Sequence, residues 1–253
     1  MKPDPDVRLD VGEGVATVTL NRPDDANSIN LPMAIHLLEV FEEIAADASS
    51  HVVLLRGNGR FFCTGGDLRE MDAAPDRGQY LAELAHTMHE AIKLLAGFEK
   101  VVVAEVQGSA AGAGLSLVLA SDIVYAAESA KFLTAYATVG LTPDCGQSWL
   151  LPRVVGLGRA PDLTLEPRHL VASDALDWGI VSRVVSDDVL SHEAALLAQR
   201  IATGPAEALG RSRLLLRRGL TSSLEDHLDQ EDASISYMAS TADTGRRIDA
   251  FLG

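Results

Sequence analysis

Basic side chains are scarce: 21 Lys and Arg stand against 36 Asp and Glu, a formal net charge of −15. A chain this acidic repels phosphate backbones and anionic lipid surfaces, so neither nucleic acid nor a membrane is expected as a partner. Cysteine is scarcer still. Cys63 and Cys145 lie far apart and show no metal-ligand spacing, so neither a disulfide framework nor a metal site is expected, and a reducing, cytoplasmic setting fits. The start, Met-Lys-Pro-Asp-Pro-Asp, lacks the apolar core of a secretory leader. The most apolar span, residues 101–120, is interrupted by Glu105, Gln107 and three glycines, which argues against a membrane helix. Internal repeats and low-complexity tracts are missing as well.

What is present is 47% hydrophobic and 23% charged residues over 253 positions, enough for one large core or a core with an appendage. Val7–Asp10 and Val15–Leu20 read as strands joined at Gly12-Glu13-Gly14, a hairpin signal. A polar turn-rich loop follows to Ser28, then a helix from Pro32 to Ala46 and a buried strand over His51–Arg56. Tyr80–Gly97 carries a long amphipathic helix. Val101–Val106 is a β-branched strand, Leu115–Ala120 a buried helix, and Ile123–Ala126 and Ala130–Leu133 two short strands. Val139–Asp144 reads as a loop, with a helix beginning near Ser148. Arg168–Trp178 is predicted helical with Ser173 as its cap, and Ile180–Val185 as the last strand. From Asp187 the alternation stops, and Asp188–Ala202, Pro205–Arg218 and Ser222–Met238 are predicted helices. The layout is an α/β core over 1–186 and a helical region over 187–253.

Two strand–turn–helix junctions stand out, one at Gly65-Gly66 and one at Gly112-Ala113. Little side-chain bulk surrounds the backbone there, and the N–H groups of a helix's first turn have no partner within the helix. A pair of such turns could aim donors at one anionic oxygen, on a phosphate or an enolate. The first lacks Gly-Lys-Ser/Thr and is no Walker loop. The second lacks the spaced glycines and following acid of a dinucleotide fingerprint. Ser148, in Gly146-Gln-Ser-Trp-Leu, lacks the second glycine of a nucleophile elbow.

Asn21-Arg22-Pro23…Asn27, Phe62-Cys-Thr-Gly-Gly-Asp-Leu68, Gly108–Gly114, Ala120-Ser-Asp122 and Gly140-Leu-Thr-Pro-Asp144…Leu151-Pro-Arg153 together resemble the crotonase, or enoyl-CoA hydratase/isomerase, family. The resemblance runs from about residue 7 to 200. It implies a crotonase (ClpP-like) spiral of ββα units with a helical C-terminal trimerisation region, assembled as a homotrimer or a dimer of trimers. It also implies acyl-CoA thioester substrates, with coenzyme A entering as part of the substrate and no separate cofactor. The thioester oxygen would be held by the N–H groups of Gly66 and Ala113. Arg22, Ala26, Thr64, Gly65, Asp67 and Leu68 match loops that cradle the CoA adenine and ribose, although for Arg22 a solvated loop charge is an equal reading.

The acids depart from the hydratase pattern. Where hydratases carry two glutamates, Ser116 and Tyr136 stand here, and neither is a carboxylate. Asp144 matches the proton-shuttling aspartate of dienoyl-CoA and ring-epoxyphenylacetyl-CoA isomerases. One carboxylate beside a bound enolate can take a proton from one carbon and return it to another. The resemblance therefore implies an enoyl-CoA isomerase, with hydratase, hydrolytic dehalogenase and non-catalytic acyl-CoA binder as alternatives. In 4-chlorobenzoyl-CoA dehalogenases an aspartate matches Asp144 and a histidine matches His89. A tryptophan there matches Tyr136, and the aromatic of the first oxyanion position is Gly66 here. Cys63 and Cys145 read as small packing residues, and Arg211, Arg213, Arg217 and Arg218 as a solvated basic helix face that could alternatively meet CoA phosphates.

Overall fold

The structure, a computed structural model, describes residues 4–253. Met1–Pro3, part of the stretch read as leaderless, lie outside the described residues. β1 (Val7–Gly12) and β2 (Val15–Leu20) form the expected antiparallel hairpin. α1 (Leu31–Ala46) begins under Asn30, whose side chain accepts the Met33 N–H at 3.0 Å. The chain continues through β3 (Val52–Gly57), α2 (Leu68–Ala73), α3 (Arg77–Gly97), β4 (Val101–Val106), β5 (Ser109–Ala111), α4 (Ala113–Ala120), β6 (Ile123–Ala127) and β7 (Lys131–Leu133). After α5 (Gln147–Leu165) come β8 (Leu170–Val171), α6 (Ala172–Asp177) and β9 (Arg183–Val185). The helices α7 (Leu190–Thr203), α8 (Ala206–Arg218), α9 (Leu224–Ala239) and α10 (Ala242–Leu252) end it.

The main sheet has the order β1-β2-β3-β4-β6-β9 and is parallel from β2 onward. Parallel neighbours require long crossovers, and these supply the helices that cover the sheet. All six residues of β4 are buried because helices lie on both of its faces. On one side Val102 and Ala104 share a core with Leu37 and Phe41 of α1, Leu95 of α3 and Leu115 of α4. On the other, Ala194, Ala198 and Ile201 of α7 pack on Val52, Leu54, Val101 and Val103. A second, short sheet, β5-β7-β8, stands beside the site region. Among the described residues, no helix is long and apolar enough to cross a membrane.

Three sequence expectations need correction. The helix over Arg168–Trp178 is shorter: Leu170 and Val171 are drawn into the small sheet opposite Phe132 and Lys131, and Ser173 lies inside α6 with Val171 at the cap position. Cross-strand pairing overrides the local helical pattern there. A fourth C-terminal helix, α10, begins after Thr241, whose hydroxyl accepts the Thr244 N–H. The arginines of α8 are not all a solvated face. Arg213 is buried, donates to the Leu95, Ala96 and Phe98 carbonyls at the end of α3, and pairs with Asp122 at 2.5 Å. Arg217 also pairs with Asp122, at 2.8 Å. The last carbonyls of a helix lack intrahelical partners, so a buried guanidinium is a strong cap for them.

Asp122 also accepts the Val102 N–H at 2.8 Å, so one carboxylate ties β4 to α8. Asp122→Ala leaves the Arg213 guanidinium buried without its counter-charge. Urea unfolding should show a loss of about 3 kcal/mol; a loss under about 1 kcal/mol would rule out this clamp as a main tie between sheet and α8.

Candidate active site

The two glycine turns are brought together by backbone pairing. The Cys63 N–H donates to the Ser109 carbonyl at 3.2 Å, and the Ala111 N–H to the Cys63 carbonyl at 2.9 Å. These bonds form a one-residue parallel bridge between Cys63 and Ala110. The β5 strand that makes it falls within the stretch read from sequence as the turn between a strand and a helix. Close approach depends on missing side chains: a Cβ on Gly114 would sit 2.2 Å from the Cys63 carbonyl oxygen. Gly65 and Gly112 also take left-handed backbone, with φ of 95° and 52°.

Just beyond the bridge lie the two predicted donors. Ala113 is the first residue of α4, so its N–H has no acceptor within the helix. Among the described residues, neither the Ala113 nor the Gly66 N–H donates to a protein acceptor. Both residues line a cavity of about 530 Å³. Its walls are apolar, from Leu68 and Met71 of α2, Leu81, Ala85 and Met88 of α3, and Leu141. A Cβ at Gly66 would meet nothing nearer than Leu84 at 3.9 Å, so the bare glycine there leaves cavity volume open.

Asp144 and Tyr136 line the same cavity. The Tyr136 hydroxyl donates to Asp144 Oδ1 at 2.6 Å, a partnership that no motif or spacing in the chain announces. The backbone on either side is unusual: Ala135 and Cys145 have φ of 68° and 50°, uncommon for residues with a Cβ. Such conformations cost about 1–3 kcal/mol each and cluster at functional sites. Burial, and then the charge of Asp144, push the Tyr136 phenol and the Cys145 thiol well above their ordinary pKa values. Both remain protonated at neutral pH, so Tyr136 is a donor. Burial likewise pushes the Cys63 thiol up to about 12. Neither cysteine is an available thiolate nucleophile.

His89 reaches the site from α3, and its Nε2 accepts the Cys145 N–H at 3.1 Å. Donor atoms of His89, Asp144 and Cys145 all lie within 4.8 Å of one another. The imidazole lone pair is engaged with the backbone and the thiol holds its proton, so the trio suits hydrogen bonding better than metal ligation. Ser116 is fully buried, and its hydroxyl turns back to the Gly112 carbonyl at 3.4 Å.

The residues matched to CoA loops gather at the cavity rim. Thr64, Gly65, Asp67 and Leu68 line it. Asp67 caps α2, accepting the Arg69 N–H, and takes Arg22 and the Ser28 hydroxyl on its other oxygen, each at 3.2 Å. Burial raises its pKa, but the Glu70 N–H, Arg22, the Arg69 N–H and Ser28 outweigh that and hold it below the usual value. Arg22 is mostly buried and also pairs with Asp25 at 3.0 Å, so it is no solvated loop charge. Ala26 has a left-handed φ of 55°, and its carbonyl accepts the Thr64 hydroxyl at 3.2 Å. Sequence reasoning missed two organisers of this rim. Buried Asn27 donates to the Asn58 and Phe61 carbonyls, and Gln107 to those of Gly57 and Phe61. The available signals are Asn27 within the Asn21…Asn27 motif and Gln107 directly before Gly108.

A family model described as enoyl-CoA hydratase/isomerase matches residues 10–253. The chain belongs to that family. The crotonase match therefore extends past residue 200, through the C-terminal helices. The 1,2-epoxyphenylacetyl-CoA isomerase of Escherichia coli (strain K12) is 39% identical, covering 96% of this chain and 93% of its own length. The 4-chlorobenzoyl coenzyme A dehalogenase-2 of Arthrobacter sp is 31% identical, covering 87% and 80%. The crystal structure of enoyl-CoA hydratase from Bacillus anthracis aligns with a TM-score of 0.92 at 29% identity, over 98% of this chain and 96% of that one. The protein is thus a crotonase-family acyl-CoA-processing enzyme, and its relatives carry isomerase, dehalogenase and hydratase names.

The crotonase site depends on the contact at Gly114. Gly114→Ala should destabilise the protein by about 1–3 kcal/mol in thermal unfolding, because backbone rather than a flexible side chain must yield. Gly97→Ala is the control, since a Cβ there meets nothing within 4 Å. Equal melting temperatures for the two variants would refute the close-approach argument.

Proposed function

We propose that this protein is an enoyl-CoA isomerase in which the Gly66 and Ala113 N–H groups hold the thioester oxygen and Asp144 moves the proton. The observation that carries the reading is the meeting, in one apolar cavity, of two uncommitted backbone donors and a carboxylate whose one hydrogen-bonded oxygen is held by Tyr136. The carboxylate of Asp67, also on the cavity wall, is taken up by its helix and by Arg22.

In a 3-enoyl thioester the Asp144 carboxylate removes a proton from C2. The electron pair spreads over C2–C4 and the thioester oxygen, where the two N–H groups stabilise the negative charge. Asp144, now the acid, returns the proton to C4, and the double bond closes between C2 and C3. No atom is gained or lost. Tyr136 keeps one carboxylate oxygen fixed while the other works. With Ser116 turned to the backbone, its position offers no acid for adding water, which weighs against a hydratase. Sequence similarity to the 1,2-epoxyphenylacetyl-CoA isomerase, at 39% identity, supports an isomerase reading. The dehalogenase reading draws on His89 and Asp144 standing together. Ala26 and Thr64–Leu68 would carry the CoA moiety at the rim, with Arg22 holding their geometry.

The chain is also proposed to work as a trimer or a pair of trimers. The helices α9 and α10 bury no residue, and Leu224, Leu228, Ile235, Ile248 and Phe251 are exposed along them. Apolar surface of that extent marks an interface.

With trans-3-hexenoyl-CoA in deuterated water, the wild type should form the 2-enoyl product and exchange C2 protons. Asp144→Ala should slow both by roughly 10²–10⁴-fold. Equal rates in the two proteins sink the mechanism, and chloride release from 4-chlorobenzoyl-CoA would favour the dehalogenase reading instead. Light scattering should return three or six times the 26.9 kDa of one chain; a stable monomer would remove the trimer proposal.

A further inference from the structure

Gln147, the first residue of α5, is buried, with 1% of its surface exposed. Its Nε2 donates to the Gly112 carbonyl at 3.0 Å. That carbonyl also accepts the Ser116 N–H at 3.1 Å and the Ser116 hydroxyl at 3.4 Å. Among the described residues, Gln147 Oε1 is buried without a partner. A buried polar atom left unpaired is destabilising, so stability alone does not account for an amide here. An apolar side chain of the same shape would avoid that cost.

The position of the accepting carbonyl gives the amide a use. The Gly112 C=O and the Ala113 N–H belong to one peptide group, which is planar and trans, so the two point in opposite directions. Whatever fixes the carbonyl fixes the N–H. Gly112 has φ 52° and ψ −123°, and as a glycine it places little steric restraint of its own on that peptide. Donors on the carbonyl also draw charge through the amide and strengthen the N–H on its far side.

We propose that Gln147 is a positioning residue: its buried amide, together with Ser116, holds the Gly112 carbonyl and so aims and strengthens the Ala113 N–H toward the thioester oxygen. The inference rests on the oxyanion reading above. It gives Ser116 a role as well. The position from which a hydratase presents an acid here secures the peptide that carries the donor. The two groups reach that peptide from different elements, α4 and α5, so its orientation is set by tertiary packing and not by the turn alone.

The test uses the full chain, with [1-¹³C]hexanoyl-CoA as a thioester that cannot isomerise and trans-3-hexenoyl-CoA for turnover. In the wild type, infrared difference spectra should show the labelled carbonyl stretch at lower wavenumber when bound. Gln147→Met keeps the volume and removes the donor. It should lose part of that shift and lower kcat about tenfold, less than the roughly 10²–10³ for losing an oxyanion donor outright, with KM little changed. Ser116→Ala should move both readouts in the same direction by less. Gln147→Glu guards against misfolding of the Met variant: its carboxyl donates only when protonated, so its carbonyl shift should recover as pH is lowered from 8 to 5. A Gln147→Met protein with the full wild-type shift and kcat overturns the positioning role, as does a Gln147→Glu protein whose full shift does not vary with pH. A wild type with no bound-state shift overturns the oxyanion reading itself.

Discussion

Two backbone hydrogen bonds between Cys63 and the Ser109–Ala111 strand hold the site together. They join turns that leave different strands of the main sheet and bring the starts of α2 and α4 to one cavity. Everything chemical depends on the backbones approaching so closely that the Gly114 position cannot hold a methyl group. The bridge lies inside the protein, where an unpaired backbone group costs as much as a lost hydrogen bond, so it is held firmly. The two N–H groups next to it are left over from this pairing, and that makes them available to a ligand.

The apolar cavity and the bridge depend on each other. Small residues at Gly65, Gly66, Gly112 and Ala113 allow the approach, and the same smallness leaves room for an acyl chain. Larger residues on α2 and α3 then close the wall with Leu and Met side chains. Polar chemistry enters from the other side, through Tyr136 and Asp144, whose segment is bracketed by left-handed Ala135 and Cys145. Strain of that kind persists only where surrounding structure over-determines it. Here the Tyr136–Asp144 hydrogen bond and the His89–Cys145 contact do so. A second anchor, Asp122, fixes the far end of α4 and β4 to α8 through two arginines, so the helix that begins at the Gly112 turn is secured at both ends.

Much of this architecture was legible in the order of residues. Alternating apolar strands and amphipathic helices to about residue 186 gave the α/β core, because burial on one face leaves a period of 2 or 3.6 in the chain. Glycine-rich turns after Phe62 and after Val106 gave the donor pair, because few other residues permit such backbone. Short elements were read poorly. β5 and β8, of three and two residues, lie in stretches that read as a glycine turn and a helix, and they form by pairing on either side of β7. The arginines of α8 looked like a solvated face because arginine spacing says nothing about a carboxylate on another element.

By itself the sequence determined the family, the fold class, the two glycine turns, and Asp144 together with Ser116 and Tyr136 in place of the two hydratase glutamates. Those features are local: each is written in the identity of a few adjacent residues. Only the tertiary structure decided the partners. Tyr136 meets Asp144 across eight residues, Gln147 meets Gly112 across 35, and Arg213 meets Asp122 across 91. Such pairings carry no periodic signal, since a hydrogen bond needs only two atoms about 3 Å apart, whatever length of chain lies between them.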